Sequence, residues 1–384
     1  MDEKEAQHIL IEILYSAINE VEDREALEKK ITPEILLSVC RLAKKHDLSY
    51  IVSSFVSRAG IEVDRELQAK LQQEEIVSVY RYEQMQYAFG EICRAFDEAE
   101  IAYIPLKGSV IRPFYPCEEM RTSCDIDILI HEEDLRSAIN CLEEKGFRCG
   151  DREYHDVSLF SPNNVHLELH FSIQENMENL DAVLKDAWRH TAPIGGSRHA
   201  FSEEFFAFHI YAHMAYHFVS GGCGMRSLLD IWVIEHRMGI SHSHAKELLQ
   251  KAGIYQFASE MSELAERCFT RNDIDSFSDT VLTYIFQGGV YGSTENHIAV
   301  DKSKTGGLAG YVIKRLFLPY KTMAILYPVL LKAPYLLPFC WCARCVEVLF
   351  CGKTKRIVSE ISCVHHISEE EMKEMEAMLS RLGL

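Results

Sequence analysis

Asp125 and Asp127 lie two residues apart in the apolar run DIDILI. Side chains alternate between the two faces of a strand, so both carboxylates share one face, and Ile126 and Ile128 share the other. Neighbouring carboxylates repel each other unless a cation lies between them. A divalent metal that carries a nucleotide phosphate is the natural candidate. Taken alone, however, an Asp-x-Asp pair is more often a solvated strand face.

A third carboxylate follows in the alternating run VHLELHF, where His166, Glu168 and His170 share a face. If this strand lies beside the Asp125/Asp127 strand, its glutamate completes a set that suits one or two hard cations such as Mg²⁺ or Mn²⁺. Upstream, Gly108 and Ser109 end a short apolar run and can open a helix. Glycine permits close backbone approach and a helix start favours anions. Together these features favour a metal–nucleotide site over a solvated face.

Two cationic residues flank this set, Lys107 and Arg121. Lysine can pair a phosphate as a point charge, and arginine can do so through its bidentate fork. A plain salt bridge to the acidic cluster is the equally weighted alternative.

His209, His213 and His217 recur every four residues and therefore share one face of a predicted helix. This face could line the active cleft, hold structural hydrogen bonds, or contribute to a zinc site. One metal cannot easily take all three nitrogens, since the outer pair is ~12 Å apart along the helix axis. Asp230, in RSLLDIW, could orient one of these histidines or cap a contact between helices.

The cysteines give a weaker signal for a metal site. Cys340, Cys342, Cys345 and Cys351 are spaced C-x-C-x₂-C-x₅-C. Because zinc ribbons use paired C-x₂-C knuckles, buried helical thiols are the favoured interpretation.

The predicted elements divide the chain into three regions. Residues 1–99 have helical periodicity, with Thr32 and Asp64 as N-caps. Residues 100–175 alternate short strands and helices, which predicts a small mixed sheet with helices on one side. Residues 176–384 return to helical periodicity. The expected fold class is therefore α+β, a small mixed-sheet core flanked by N- and C-terminal helical regions.

Composition narrows the function class. The formal net charge of −18 argues against a general nucleic-acid binder, which needs a basic footprint. The acidic start MDEKEAQ and the irregular spacing of 13 cysteines favour a reduced cytoplasmic protein. The most apolar segment, residues 323–350, is interrupted by Lys332, Arg344 and Glu347. We expect no transmembrane span there, but buried or interfacial helices, which leave peripheral membrane contact open.

The motifs together resemble a known family. Gly-Ser, Asp-x-Asp on a strand and a later strand carboxylate are similar to the DNA polymerase β-type nucleotidyltransferase superfamily. The series LKG…R…CDIDILI…L…GF, HLELHF, H…H and LLD resembles more closely the bacterial uncharacterised nucleotidyltransferase family, over roughly residues 85 to 240. Two departures from compact superfamily members are a longer interval from Ser109 to Asp125, without their Arg-Gly, and Glu168 in place of Asp.

The resemblance implies a split sheet, two-metal chemistry and an NTP donor, with ATP the expected nucleotide. Asp125, Asp127 and Glu168 would hold metal and carry catalysis, while Gly108 and Ser109 would hold the β- and γ-phosphates. The function expected is transfer of an NMP to a small-molecule or protein acceptor. The alternatives are a nucleotide sensor without turnover and a membrane-surface assembly partner that retains the fold.

Overall fold

The computed structural model describes residues 3–21, 27, 30–175, 177–271, 273–290, 292–293, 296–297, 300, 317–350 and 369–384. The described residues of the N-terminal region include the helices α1 (Glu3–Asn19), α2 (Pro33–Lys45), α3 (Ser49–Ala59) and α4 (Arg65–Glu98).

The starts of α2 and α4 follow from local hydrogen bonding. Thr32 accepts the Ile35 N–H at 3.3 Å through its hydroxyl, and Asp64 accepts two N–H groups at 2.9 Å each through its carboxylate. These bonds satisfy donors that the first helical turn leaves without partners. Both predicted N-caps are confirmed.

A seven-stranded mixed sheet forms the centre of the molecule, in the order β3-β4-β5-β2-β1-β7-β6. Its strands are β1 (Tyr103–Pro105), β2 (Asp125–Ile130), β3 (Arg148–Arg152), β4 (Asp156–Phe160), β5 (His166–His170), β6 (Thr191–Gly195) and β7 (Arg198–Phe201). Between β1 and β3 the chain forms the helices α5 (Gly108–Ile111) and α6 (Leu135–Glu144). β2 pairs parallel with β5 and antiparallel with β1. The α+β class with flanking helices is confirmed.

The two faces of the sheet differ in polarity. Ile126, Ile128, Leu167 and Leu169 belong to an apolar cluster that also contains side chains of α4 and α6. The opposite face of β2 carries Asp125 and faces a cavity walled by further helices. The helices that cover this polar face belong to the chain after residue 200, outside the segment 100–175, so the sheet has helices on both faces.

Two strand segments are present that the sequence analysis did not predict. All five residues of β3 are exposed, and β6–β7 is a hairpin in TAPIGGSRHAF, within the region predicted to be helical. Strand prediction relies on alternating apolar residues. An exposed edge and a segment rich in Gly and Pro lack that alternation.

The C-terminal half is mainly helical. The helices among its described residues are α7 (Glu178–Leu184), α8 (Glu203–Val219), α9 (Met225–His236), α10 (Lys246–Lys251), α11 (Tyr255–Glu266), α12 (Ser276–Gly288), α13 (Tyr320–Leu326), α14 (Leu337–Phe350) and α15 (Glu369–Leu382). One hydrophobic core contains side chains from the N-terminal helices α1–α4 and from α7–α12 and α15, so the N- and C-terminal helices pack together. α13 and α14 contribute to a separate small cluster.

The apolar segment 323–350 consists of short helical pieces separated at prolines. None of the helices in the described part of the chain combines the length and apolarity needed to cross a bilayer. Of the cysteine group in this segment, Cys340 is buried and Cys342 is exposed, while Cys351 and the Cys345 side chain lie outside the described residues.

Candidate active site

The three predicted carboxylates lie on one face of the sheet. β2 and β5 pair in parallel register, with Asp127 opposite Glu168 and Asp125 opposite His166. Asp127 is 8% exposed, and all three carboxylates line the same cavity. The predicted adjacency of these two strands is confirmed.

Lys107 and His170 supply positive charge to this set. Lys107 Nζ lies 3.1 Å, and His170 Nε2 3.0 Å, from Oδ1 of Asp127. His170 Nε2 also lies 3.5 Å from Oε2 of Glu168. Burial alone would raise the pKa of Asp127, but Lys107 and His170 hold it well below its ordinary value. Burial alone would lower the pKa of His170, but hydrogen bonds to both carboxylates raise it to about 9.

Asp125 is the carboxylate with the weakest cationic support. Burial, followed by the charges of Asp127 and Glu168, raises its pKa, which Lys107 and a hydrogen bond from Ser123 only partly offset. The Ser123 hydroxyl donates to Asp125 Oδ1 at 3.0 Å. A further cation between these carboxylates would therefore be favourable.

Two overlapping groups of side chains could hold that cation. Ligand atoms of Asp127, Glu168 and His170 lie within 4.8 Å of one another, as do those of Asp125, His166 and Glu168. Carboxylate oxygens suit Mg²⁺ or Mn²⁺, which take only a few protein ligands and keep other positions for water and phosphate. The donor set therefore fits the expected ion.

The Lys107-Gly108-Ser109 turn differs in detail from the expected phosphate-binding turn. A Cβ added at Gly108 would lie 3.2 Å from Nη1 of Arg121, so glycine here admits an arginine. The Ser109 N–H donates to Leu106 O at 3.1 Å, and Ser109 is absent from the described residues that line the cavity. Lys107 has φ 44° and ψ −114°, a strained conformation for a residue other than glycine.

Arg121 and Asp230 form a buried bidentate ion pair. Arg121 Nε lies 2.7 Å from Oδ1, and Nη2 lies 2.8 Å from Oδ2. The Tyr115 hydroxyl also donates to Oδ1, at 2.8 Å. The partner of Arg121 is thus an α9 aspartate, so a salt bridge to the acidic cluster is wrong for Arg121, whereas Lys107 does pair with Asp127 of that cluster. Asp230 binds an arginine and a tyrosine, where orientation of a histidine or capping of a contact between helices was expected.

The histidine face of α8 forms the opposite wall of the cavity. His209, His213 and His217 all line it, and burial holds each pKa below its ordinary value, that of His209 at about 4. His213 is therefore neutral and donates through Nδ1 to Glu175 Oε1 at 2.8 Å. Among the described residues, the clusters with metal-ligand spacing do not include these three histidines.

The cavity has a volume of about 330 Å³ and includes residues that the sequence analysis missed. His155 stacks on His170 with ring centroids 5.8 Å apart, and its Nε2 lies 3.1 Å from Asp156 Oδ2. Arg226 pairs with Asp47 at 2.7 Å. These side chains lie outside the alternating strand motifs, so only tertiary contacts reveal them.

Comparison with known families adds an independent observation. The profile described as "Uncharacterised nucleotidyltransferase" matches residues 37–270, more than half of the chain. The chain belongs to this uncharacterised nucleotidyltransferase family. Membership supports nucleotidyltransferase activity in general terms, with a nucleotide as substrate. No curated protein and no solved structure matches the chain.

Proposed function

We propose that the protein is a metal-dependent nucleotidyltransferase that moves an NMP from an NTP to a small-molecule or protein acceptor. The observation that carries this proposal is the parallel pairing of β2 with β5, which brings Asp125, Asp127 and Glu168 to one face beside Lys107. Carboxylates on adjacent strands next to a cation suit a metal-bound triphosphate.

Each residue has a proposed role. Asp125, Asp127 and Glu168 would hold Mg²⁺ or Mn²⁺, which when bound would neutralise the attacking and leaving oxygens. Lys107 is close enough to this set to pair a phosphate oxygen. The His170 hydrogen bond lowers the pKa of Glu168, so that carboxylate is ionised at neutral pH and able to accept a proton.

The proposed reaction is an in-line displacement at the α-phosphorus. The acceptor hydroxyl forms the new P–O bond and gives its proton to Glu168, while the bond to the β-phosphate oxygen breaks and pyrophosphate leaves. The buried histidines of α8 are neutral. They therefore add no positive charge that would compete with the metal and Lys107 for the phosphates.

Calorimetry with Mg·ATP tests the site. We expect binding to the wild type and at least a tenfold loss of affinity in Asp125→Ala/Asp127→Ala. The matched control is Glu143→Ala/Glu144→Ala, which removes two exposed carboxylates from α6. Unchanged affinity in the Asp125/Asp127 variant contradicts the proposal.

A transfer assay separates an enzyme from a nucleotide sensor. The wild type is incubated with each of the four α-labelled NTPs and a cell extract. Labelling of an acceptor that requires divalent metal and intact Asp127 supports turnover. Binding of Mg·ATP without labelling in any arm favours the sensor.

Contact with a membrane surface is a second candidate role, which the apolar segment 323–350 favours. Of its described side chains, Leu331, Tyr335 and Phe339 are 71%, 78% and 71% exposed. Co-sedimentation with lipid vesicles, compared between the wild type and Leu331→Ser/Phe339→Ser, tests this role. Absence of the wild type from the vesicle pellet excludes it.

A further inference from the structure

A second, larger cavity adjoins the acidic site. It has a volume of about 760 Å³ and lies between α2, α3, α4 and the loop of residues 112–124. Arg121, Ser123 and Val290 line both cavities, so the two are neighbours. A pocket of this size suits a small organic ligand.

The lining of this second cavity is cationic, although the chain carries a net charge of −18. Seven of the lining residues are Lys or Arg and three are Asp or Glu. Arg121 is neutralised by Asp230, but Arg81 is an exposed cation at the rim. This local excess of positive charge favours an anionic ligand.

Arg112 is the decisive side chain in this wall. It is 5% exposed, and its Nε donates to Arg121 O at 2.9 Å. Its guanidinium carbon lies 6.0 Å from the centroid of the Tyr82 ring, and Glu118 also stabilises its charge. In the described part of the chain, the hydrogen bond to Arg121 O is the one its guanidinium makes, and no ion pair is present. Burial, followed by the charge of Arg121, lowers the pKa of Arg112 to about 10. Its two Nη groups are not among the fully buried atoms without a partner, so they have access to the cavity, where a phosphate or carboxylate would pair with both.

The rest of the wall is largely apolar. α4 contributes Leu71, Val77 and Met85, and α3 contributes Val52 and the half-buried Tyr50. These side chains favour a ligand with an apolar body.

We propose that this cavity binds the acceptor, an organic molecule whose apolar body carries a phosphate or carboxylate that Arg112 pairs. The inference rests on the proposed nucleotidyl transfer. Ser123 lines both cavities and its hydroxyl donates to Asp125, so an acceptor in the second cavity would lie beside the Asp125/Asp127/Glu168 site. It gives the acceptor a chemical class.

Three small probes test the cavity: phenyl phosphate, benzoate and the neutral benzyl alcohol. We expect the wild type to bind at least one anionic probe more tightly than benzyl alcohol. Arg112→Met, which keeps an apolar stem, is expected to weaken anionic probe binding at least tenfold. The same variant is expected to leave Mg·ATP affinity unchanged, and the exposed Arg136→Met on α6 is the matched control. Preference for phenyl phosphate or for benzoate supports the inference and names the anionic group.

Three results would overturn the inference: no anionic probe binds, Arg112→Met leaves probe affinity unchanged, or the variant weakens Mg·ATP equally. The last would mean that the cavity holds the nucleotide. If Arg112→Met fails to fold, Arg81→Glu at the rim is expected to weaken the same probes, and an unchanged affinity there also refutes the inference. Asp125→Ala/Asp127→Ala is expected to lose Mg·ATP and keep the probes, so failure of the proposed function is seen separately.

Discussion

At the scale of single residues, only part of the negative charge of the acidic site is neutralised by neighbouring side chains. Lys107 and His170 both contact one oxygen of Asp127, and Asp125 retains a raised pKa. The three carboxylates could be found from sequence, because strand alternation fixes which side chains share a face. The partner of Arg121 could not, since Asp230 is 109 residues away in the chain.

Gly108→Ala is expected to disturb the site through Arg121. Its Cβ would lie 3.2–3.4 Å from three guanidinium atoms, and that group is held in place by Asp230. We expect a loss of about 1–3 kcal/mol in the free energy of unfolding and weaker Mg·ATP binding. Chemical denaturation and calorimetry measure the two effects.

Gly90→Ala is the matched control, because it lies within α4 and its added Cβ would meet nothing closer than 3.8 Å. Alanine there is expected to stabilise the helix by about 0.5–1 kcal/mol. Equal effects of the two substitutions would contradict the assigned role of Gly108.

At the scale of elements, the Arg121–Asp230 ion pair joins the loop before β2 to α9. Both side chains are buried, and Tyr115 adds a third hydrogen bond. Asp230→Ala is expected to lower the free energy of unfolding by about 3–5 kcal/mol, since it leaves a buried charge without a partner.

Arg121→Met/Asp230→Leu is expected to recover most of that loss, because both charges are removed together. Denaturant unfolding of the two single variants and the double variant measures the coupling. Additive losses would show that the pair is not energetically linked.

His46 links α2 to two C-terminal helices. Its Nδ1 accepts the Met225 N–H at 3.2 Å, and Nε2 lies 3.4 Å from Phe286 O. Burial, aided by Lys45, lowers its pKa to about 4. In the unfolded chain His46 therefore takes up a proton near pH 6.5, whereas in the folded chain it stays neutral until about pH 4. The free energy of unfolding that depends on neutral His46 is therefore fully present above pH 6.5 and is lost as pH falls towards 4.

Because of His46, the free energy of unfolding is expected to fall by roughly 3 kcal/mol between pH 6.5 and pH 4. His46→Asn is expected to flatten the dependence of unfolding free energy on pH over that range, while the exposed His8→Asn on α1 keeps the wild-type slope. Identical slopes in all three proteins would contradict a neutral His46.

Element prediction succeeded where local signals are strong. Thr32 and Asp64 mark helix starts by side-chain chemistry, and the β4–β5 hairpin alternates clearly. It failed for β3 and for the 191–201 hairpin, whose strands are held by pairing with neighbours and have little apolar pattern of their own.

At the scale of the whole molecule, the division into regions 1–99, 100–175 and 176–384 remains a prediction. One hydrophobic core nevertheless joins α1–α4 to α7–α12 and α15. The acidic site lies where α8 and α9 meet the sheet, and the second cavity lies between α2, α3, α4 and the loop of residues 112–124. Ligand binding should therefore stabilise the helices that share this core.

Mg·ATP at 100 times its dissociation constant is expected to raise the free energy of unfolding by about 2.7 kcal/mol. Thermal unfolding of the wild type with and without Mg·ATP measures this increase. The stability of Asp125→Ala/Asp127→Ala is expected to be unchanged by Mg²⁺ and by ATP. A shift of equal size in that variant would mean that the nucleotide binds elsewhere.

The strained backbone of Lys107 has a consequence for how this protein can evolve. A residue other than glycine at φ 44° and ψ −114° costs about 1–3 kcal/mol, which Lys107→Gly should relieve. The same substitution removes the ammonium group beside Asp127. Removing the partner of a buried carboxylate costs about 3–5 kcal/mol, which exceeds the strain relieved. A library selected for heat resistance alone should therefore accept glycine at position 107 only in clones that also replace Asp127, and those clones should lose Mg·ATP binding.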